Sequence, residues 1–236
     1  NRNVSSHLVK SEKGLILIDT AWPQTADMLA ESIKSVGFEI SNVIMILHTH
    51  AHIDHCGGTA RVKAMSGAAT AIGEKDVETV ELGTDRIIKI TNFEPFKVDK
   101  HLKHADVLDF GDVKITCHHT PGHTMGTMSY TFKLTVDGRV LTAGIFGGPG
   151  FNTLAGGIHE LLGYESNIDD FSKTLEYLDK LSVDVWLGAH PGQNGTFAKY
   201  ERLKSGGTSN QFIDPAGWKS FITRLKTSFS AKFGGK

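Results

Sequence analysis

Residues 43–47 read VIMIL, and the chain runs from this apolar stretch straight into HTHAHIDH at 48–55. An unbroken apolar run of strand length, bounded by polar sequence, fits a strand covered on both faces. Such a strand belongs inside a layered sheet rather than on a surface. The polar octet then falls in the loop at the end of that strand. Two more segments repeat the arrangement: Val113 to Cys117 leads into HHTPGHT, and Val183 to Leu187 leads into GAHPGQNG. Loops gathered along one edge of a rigid sheet are where binding and catalytic groups are built.

The rest of the pattern mixes strands with helices. His7 to Val9 and Leu15 to Ile18 read as strands joined by a turn at Lys13-Gly14. Pro23 opens a helix with apolar positions at Met28, Leu29, Ile33 and Val36. A helix after Gly57-Gly58, a strand at Ala68 to Ile72 and a strand at Val107 to Leu108 follow. Met128 to Leu134 and Val140 to Ala143 form a hairpin across Asp137-Gly138. Ile168, Phe171, Leu175, Leu178 and Leu181 mark an amphipathic helix. A last helix from about Pro215 buries Trp218, Phe221, Ile222, Leu225 and Phe229. Residues 81–104, with FEPF in their middle, read as a long surface excursion. Gly144 to Gly157 reads as a flexible, glycine-rich loop. Hairpins and crossovers together give a layered α/β (α+β) architecture. No linker, low-complexity tract or short repeat interrupts it, so residues 1–236 read as one domain.

Composition narrows the function. The net charge of −1 and the absence of a basic stripe argue against generic nucleic-acid binding. No run approaches the ~18 apolar residues of a membrane span. Two cysteines rule out a disulfide scaffold and a four-cysteine zinc site, and Cys56 and Cys117 read as small buried thiols. The start, NRNVSSHLV, lacks Met and a charged-then-apolar leader. It reads as a processed or trimmed chain that has lost an initial strand, which leaves export open.

The twelve histidines carry the chemistry. His50, His52, Asp54 and His55 spell H-x-H-x-D-H. In an extended loop alternate residues face the same way, so His50 and His52 converge on one ion while Asp54 and His55 address a second. Imidazole and carboxylate are zinc donors. His123 and His190, each in a glycine-shaped turn after a strand, raise the donors to six, three for each ion. Three protein donors and a water make the catalytic pattern, whereas closed structural sites use four. His48, His118 and His119 read as framework groups; His7, His101, His104 and His159 read as surface. Two zinc ions sharing a water bring its pKa near neutrality, which points to hydrolysis of a carbonyl or phosphoryl bond. No G-x-S-x-G elbow offers a serine nucleophile.

GLILIDT, HAHIDH, TPGHT and GAHPG, in that order, make the chain resemble the metallo-β-lactamase superfamily. Its fold, a four-layer αβ/βα sandwich of two similar halves with metals at the edge between two sheets, is thereby implied. DTAWPQ, TPGHTMGTMSYTF and HPGQNGTFAKYERLK look most like the class B β-lactamases of subclass three. That resemblance implies two Zn(II): one held by His50, His52 and His123, the other by Asp54, His55 and His190, with Asp54 also orienting the attacking hydroxide. It implies a β-lactam as the small-molecule substrate, antibiotic resistance as the biological role, and a periplasmic or secreted location, with a cytoplasmic one left open. Glyoxalases, lactonases and tRNA-processing relatives carry a bridging aspartate in a T-G-D setting. This chain reads LTAGIFGG, with Gly144 and Ile145 there. Many subclass-three enzymes place a serine near the substrate carboxylate at this point; Thr127, Ser129 and Asn152 are the candidates to replace it. Two alternatives stand beside the β-lactamase: another zinc hydrolase of this fold acting on lactones, thioesters or phosphodiesters, and a non-enzymatic metal-binding scaffold. The oligomeric state is not legible.

Overall fold

The apolar run Val43–Leu47 is a strand, β3, preceded by β1 (His7–Ser11) and β2 (Gly14–Ile18). The computed structural model describes residues 4–84, 93–151, 154, 168–206 and 210–234. β4 (Ala69–Gly73) and β5 (Lys100–Leu102) complete a first sheet in the order β1-β2-β3-β4-β5. β1 runs antiparallel to β2, and the remaining pairs are parallel. The second sheet holds β6 (Val107–Asp109), β7 (Lys114–His119), β8 (Met128–Val136), β9 (Arg139–Ile145) and β10 (Val185–Leu187). Its order is β10-β9-β8-β7-β6, with β10 parallel to β9 and the other pairs antiparallel. Asp137 (φ 50°) and Gly138 (φ 74°) close the β8–β9 hairpin, a two-residue turn with both φ values positive.

Alternation along the strands sorts side chains into layers. Ile16, Ile18 and Leu47 of the first sheet meet Ile115, Tyr130, Phe132 and Ile145 of the second in the central core. Leu15, Leu17, Val43 and Ile46 point the other way, into a core that includes residues of α1 (Ala26–Ser35) and α3 (Thr59–Ser66). Behind the second sheet, Trp186 and Phe146 share a core with Phe171, Leu175 and Leu178. Trp218, Phe221 and Ile222 complete it. Two mixed sheets face to face with helices outside each are the expected four-layer αβ/βα sandwich.

Several expectations need correcting. β3 is not covered throughout, since Ile44 is 36% exposed. The FEPF segment is no surface excursion: Phe93, Phe96 and Val98 are buried and pack with Ala51, Ile53 and Cys56 beneath the HTHAHIDH loop. Residues 85–92 lie outside the described residues. Gly144 and Ile145 belong to β9 rather than to a flexible loop. A Cβ at Gly147 would lie 2.0 Å from the Met128 carbonyl oxygen, and one at Gly148 would lie 2.6 Å from the His123 Cβ, so this stretch is packed tight. Positions 152–153 and 155–157 lie outside the described residues. Four further helices follow among the described residues: α4 (Val77–Leu82), α5 (Ile168–Leu178), α6 (Thr196–Lys204) and α7 (Pro215–Phe233). α4 and α6 were not expected. The first is six residues long, and the second buries no residue on which a periodic signal could rest.

Candidate metal centre

The polar loops converge because the strands feeding them end at one edge of the sandwich. β3 leads into His48–His55, β7 into the TPGHT turn and β10 into GAHPG. Backbone bonds stitch the loops together: Met128 N–H donates to the Thr49 carbonyl at 2.7 Å, and Asp19 N–H donates to that of Leu47 at 2.9 Å. A single helical turn, α2 (Ile53–Cys56), turns Asp54 and His55 away from His50 and His52.

Two groups of three donors result. His50, His52 and His123 form one, and Asp54, His55 and His190 the other; within each, the ligand atoms lie within 4.8 Å of one another. In the first, His50 Nε2 stands 3.1 Å from His52 Nδ1 and 3.2 Å from His123 Nε2. In the second, His55 Nε2 stands 3.3 Å from His190 Nε2 and 3.5 Å from Asp54 Oδ2. The rings of His50 and His55 lie 4.1 Å apart between centroids, so the groups adjoin. Depth differs across the site. The His55 side chain is 1% exposed, whereas those of Asp54 and His190 are 23% and 37% exposed. The second group therefore opens to solvent.

Three of the rings, those of His50, His55 and His123, are held at their outer edges. His123 Nδ1–H donates to the Gly150 carbonyl at 2.7 Å, and His55 Nδ1–H donates to Asp19 Oδ2 at 2.8 Å. Because a carbonyl and a carboxylate only accept, these bonds fix the proton on Nδ1 and leave the Nε2 lone pair facing inward. The Thr49 hydroxyl donates to Asp19 Oδ2 at 2.7 Å and lies 3.0 Å from His50 Nδ1. Asp19 thus orients His55 directly and His50 through Thr49. Burial, with neighbouring imidazoles, pushes His50 and His123 well below the ordinary histidine value and His52 down to about 3. These rings are neutral near pH 7, the form that donates to a metal. Burial pulls His55 down too, but the carboxylates of Asp19 and Asp54 outweigh it and hold the ring above its ordinary value.

Thr127 and Ser129 are fully enclosed, at 0% and 1% exposure. The Thr127 hydroxyl accepts from Thr124 N–H at 2.9 Å, and that of Ser129 lies 2.8 Å from the Thr120 hydroxyl. Both hydroxyls are bonded to polar groups of the turn itself, as buried hydroxyls require. Asn152 lies outside the described residues. His48 is buried beside Thr59, at 3.2 Å, and His119 Nε2–H donates to the Met125 carbonyl at 2.8 Å. His7 is not a surface residue: it is half-buried, and its Nε2–H donates to the Gly188 carbonyl at 3.0 Å, next to the His190 loop. Cys56 and Cys117 are buried thiols. Sequence reasoning gave no role to Asp19 or Asp76. Asp19 stands in the GLILIDT and DTAWPQ motifs, directly after a strand, whereas the signal for Asp76 was placement alone, within one turn of a strand ending at the same edge.

The donor set fits metal ions. Zinc takes imidazole nitrogen at ~2.0–2.1 Å in a tetrahedral array, which sets neighbouring donors about 3.3 Å apart. The closest inward-facing nitrogens here are 3.1–3.3 Å apart. Comparison with known proteins agrees. Residues 1–185 match the model of the metallo-β-lactamase superfamily. A subclass B3 metallo-β-lactamase of Bradyrhizobium japonicum is 32% identical, with a TM-score of 0.89 over 99% of this chain and 88% of its own. The native metallo-β-lactamase from Legionella gormanii is 29% identical, with a TM-score of 0.91 over 99% of this chain and 90% of its own. Among curated relatives, a hydroxyacylglutathione hydrolase of Maricaulis maris is 28% identical over 105 residues, 44% of this chain and 34% of its own length. The chain spans between about a third and about half of the length of such curated relatives. Fold, donor set and family model agree that this chain belongs to the metallo-β-lactamase superfamily of metal-dependent hydrolases.

Proposed function

We propose that residues 1–236 form one catalytic domain that hydrolyses β-lactams with two zinc ions, one held by His50, His52 and His123 and the other by Asp54, His55 and His190. When bound, such ions lower the pKa of water and polarise a carbonyl. The chain's own residues do the rest. Asp19, Thr49 and the Gly150 carbonyl bond the outer ring nitrogens of His55, His50 and His123 and so fix the inward nitrogens in place. Asp54, partly open to solvent, accepts a hydrogen bond from the attacking hydroxide and orients it. The hydroxide oxygen bonds to the lactam carbonyl carbon, the C–N bond breaks, and the ring nitrogen collects a proton from a water.

One observation carries the choice of substrate: where the thioester- and lactone-cleaving branches are expected to bridge their ions with aspartate, this chain has buried Gly144 and Ile145. Similarity over 99% of the chain to a subclass B3 metallo-β-lactamase and to the metallo-β-lactamase of Legionella gormanii supports the same reading. A thioester or lactone hydrolase is the second reading. The hydroxyacylglutathione hydrolases and an N-acyl homoserine lactonase of Bacillus among the relatives favour it. Substrate encounter for a β-lactamase puts the protein in the periplasm or outside the cell. No helix among the described residues is long and apolar enough to cross a membrane.

The test is a panel of nitrocefin, a glutathione thioester, a lactone and a phosphodiester chromogen, run beside a zinc determination. Nitrocefin is expected to turn over fastest at two zinc per chain, and His123→Ala to lower the rate by orders of magnitude. Faster cleavage of the thioester or lactone would hand the site to the second reading.

A further inference from the structure

Asp76 follows β4 and is 4% exposed, yet neither donor group uses it. It lies between the two loops that supply the first group. Its Oδ2 accepts from Ala51 N–H at 3.0 Å and from the Thr124 hydroxyl at 2.7 Å; its Oδ1 accepts from Gly126 N–H at 2.9 Å. Ala51 is the residue between His50 and His52, and Thr124 is the residue after His123. One carboxylate therefore grips the backbone between two donors and the side chain next to the third. The packing around it is closed. A Cβ at Gly126 would lie 2.5 Å from Asp76 N, and one at Gly73 would lie 1.9 Å from the Gly126 carbonyl oxygen. The end of β4 and the TPGHTMGT turn are in direct contact.

We propose that Asp76 is a positioning residue that sets the spacing of the His50, His52 and His123 group, and hence the metal affinity of that group, while the Asp54, His55 and His190 group does not depend on it. The proposal rests on the two-ion reading above. All three partners of Asp76 donate, so only a side chain that accepts at both oxygens satisfies them. In Asp76→Asn the amide nitrogen must face at least one of those donors, and the loops separate there. Partners of this kind, one step removed from the ligands, change metal affinity by roughly 10- to 100-fold when altered.

The experiment titrates metal-free protein with Co(II), following visible absorption and competing with a chelator. His123→Ala identifies which spectrum belongs to the first group. The wild-type chain is expected to take up two ions. Asp76→Asn is expected to lose roughly 10- to 100-fold in affinity for the first-group ion, with the other unchanged. Thr124→Val, which removes one of the three bonds, is expected to move the same band to a smaller extent, and Thr124→Ser to restore it. Should Asp76→Asn lack a native circular dichroism spectrum, the Thr124 pair decides. Wild-type affinities in these variants, or equal weakening of both groups, overturn the proposal. Fewer than two ions on the unaltered chain would overturn the two-ion reading itself and this proposal with it, a failure visible before any Asp76 variant is made.

Discussion

Asp19 takes a left-handed backbone conformation, φ 61°, directly after β2. That region costs most side-chain-bearing residues about 1–2 kcal/mol, less for Asp, and such positions cluster where function over-determines the backbone. The carboxylate receives His55 Nδ1–H, Thr49 N–H and the Thr49 hydroxyl, all buried. Asp19→Ala therefore strands three donors and is expected to cost about 3 kcal/mol or more, measured by urea denaturation of metal-free protein. It also removes the main group that lifts His55. Burial then dominates, and the His55 titration followed by NMR in the metal-free protein is expected to move from above 6.5 to below it. An unmoved His55 titration would mean that Asp54 alone supplies the lift.

The strand β7 serves two layers at once. His119 turns toward the Met125 carbonyl near the site, while His118 turns outward, with Nδ1 2.7 Å from the Tyr177 hydroxyl of α5 and Nε2 2.8 Å from the Thr131 hydroxyl of β8. Burial holds the His118 ring down to about 4. Between pH 6.5 and 4 the unfolded chain binds a proton at this position that the native chain refuses. Stability contributed here is therefore full above 6.5 and falls as the pH drops toward 4. His118→Gln should flatten that slope: the stability difference between pH 7 and pH 4.5, measured by denaturation of metal-free protein, is expected to be smaller than in the wild type. An equal difference would place the acid sensitivity elsewhere. At this scale the sequence was legible wherever an element buries a face. The strands β2 and β3 and the helix α7 follow from their apolar spacing, with Trp218, Phe221, Ile222 and Phe229 buried as expected. α6 was illegible for the converse reason, since Phe197, Tyr200 and Leu203 are exposed. Asp76 was missed because a lone acid between a strand and a short helix carries no ligand spacing; its partners lie 25 to 50 residues away along the chain.

For the molecule as a whole, the local patterns predicted sheets and covering helices, but not which strands would be neighbours. Pairing of β10 beside β9, across some forty residues of sequence, is set by the fit of Trp186 against Phe221 and of Val185 in the central core, contacts that no local window contains. The same long reach makes the site a clasp. His50, His123 and His190 come from three loops fed by strands of both sheets, while the core between the sheets, from Ile16 to Ile145, contains none of the six donors. Metal removal should therefore cost stability without dissolving the fold. An ion present 1,000-fold above its Kd stabilises the native state by about 4 kcal/mol, which for a chain of this length is about 8–16 °C in Tm. Chelation is expected to lower Tm by at least that amount while leaving the far-ultraviolet circular dichroism at 25 °C unchanged, and added Zn(II) should restore Tm in a concentration-dependent way. A chelated chain that loses its secondary structure would mean that the donors, rather than the inter-sheet core, hold the two sheets together.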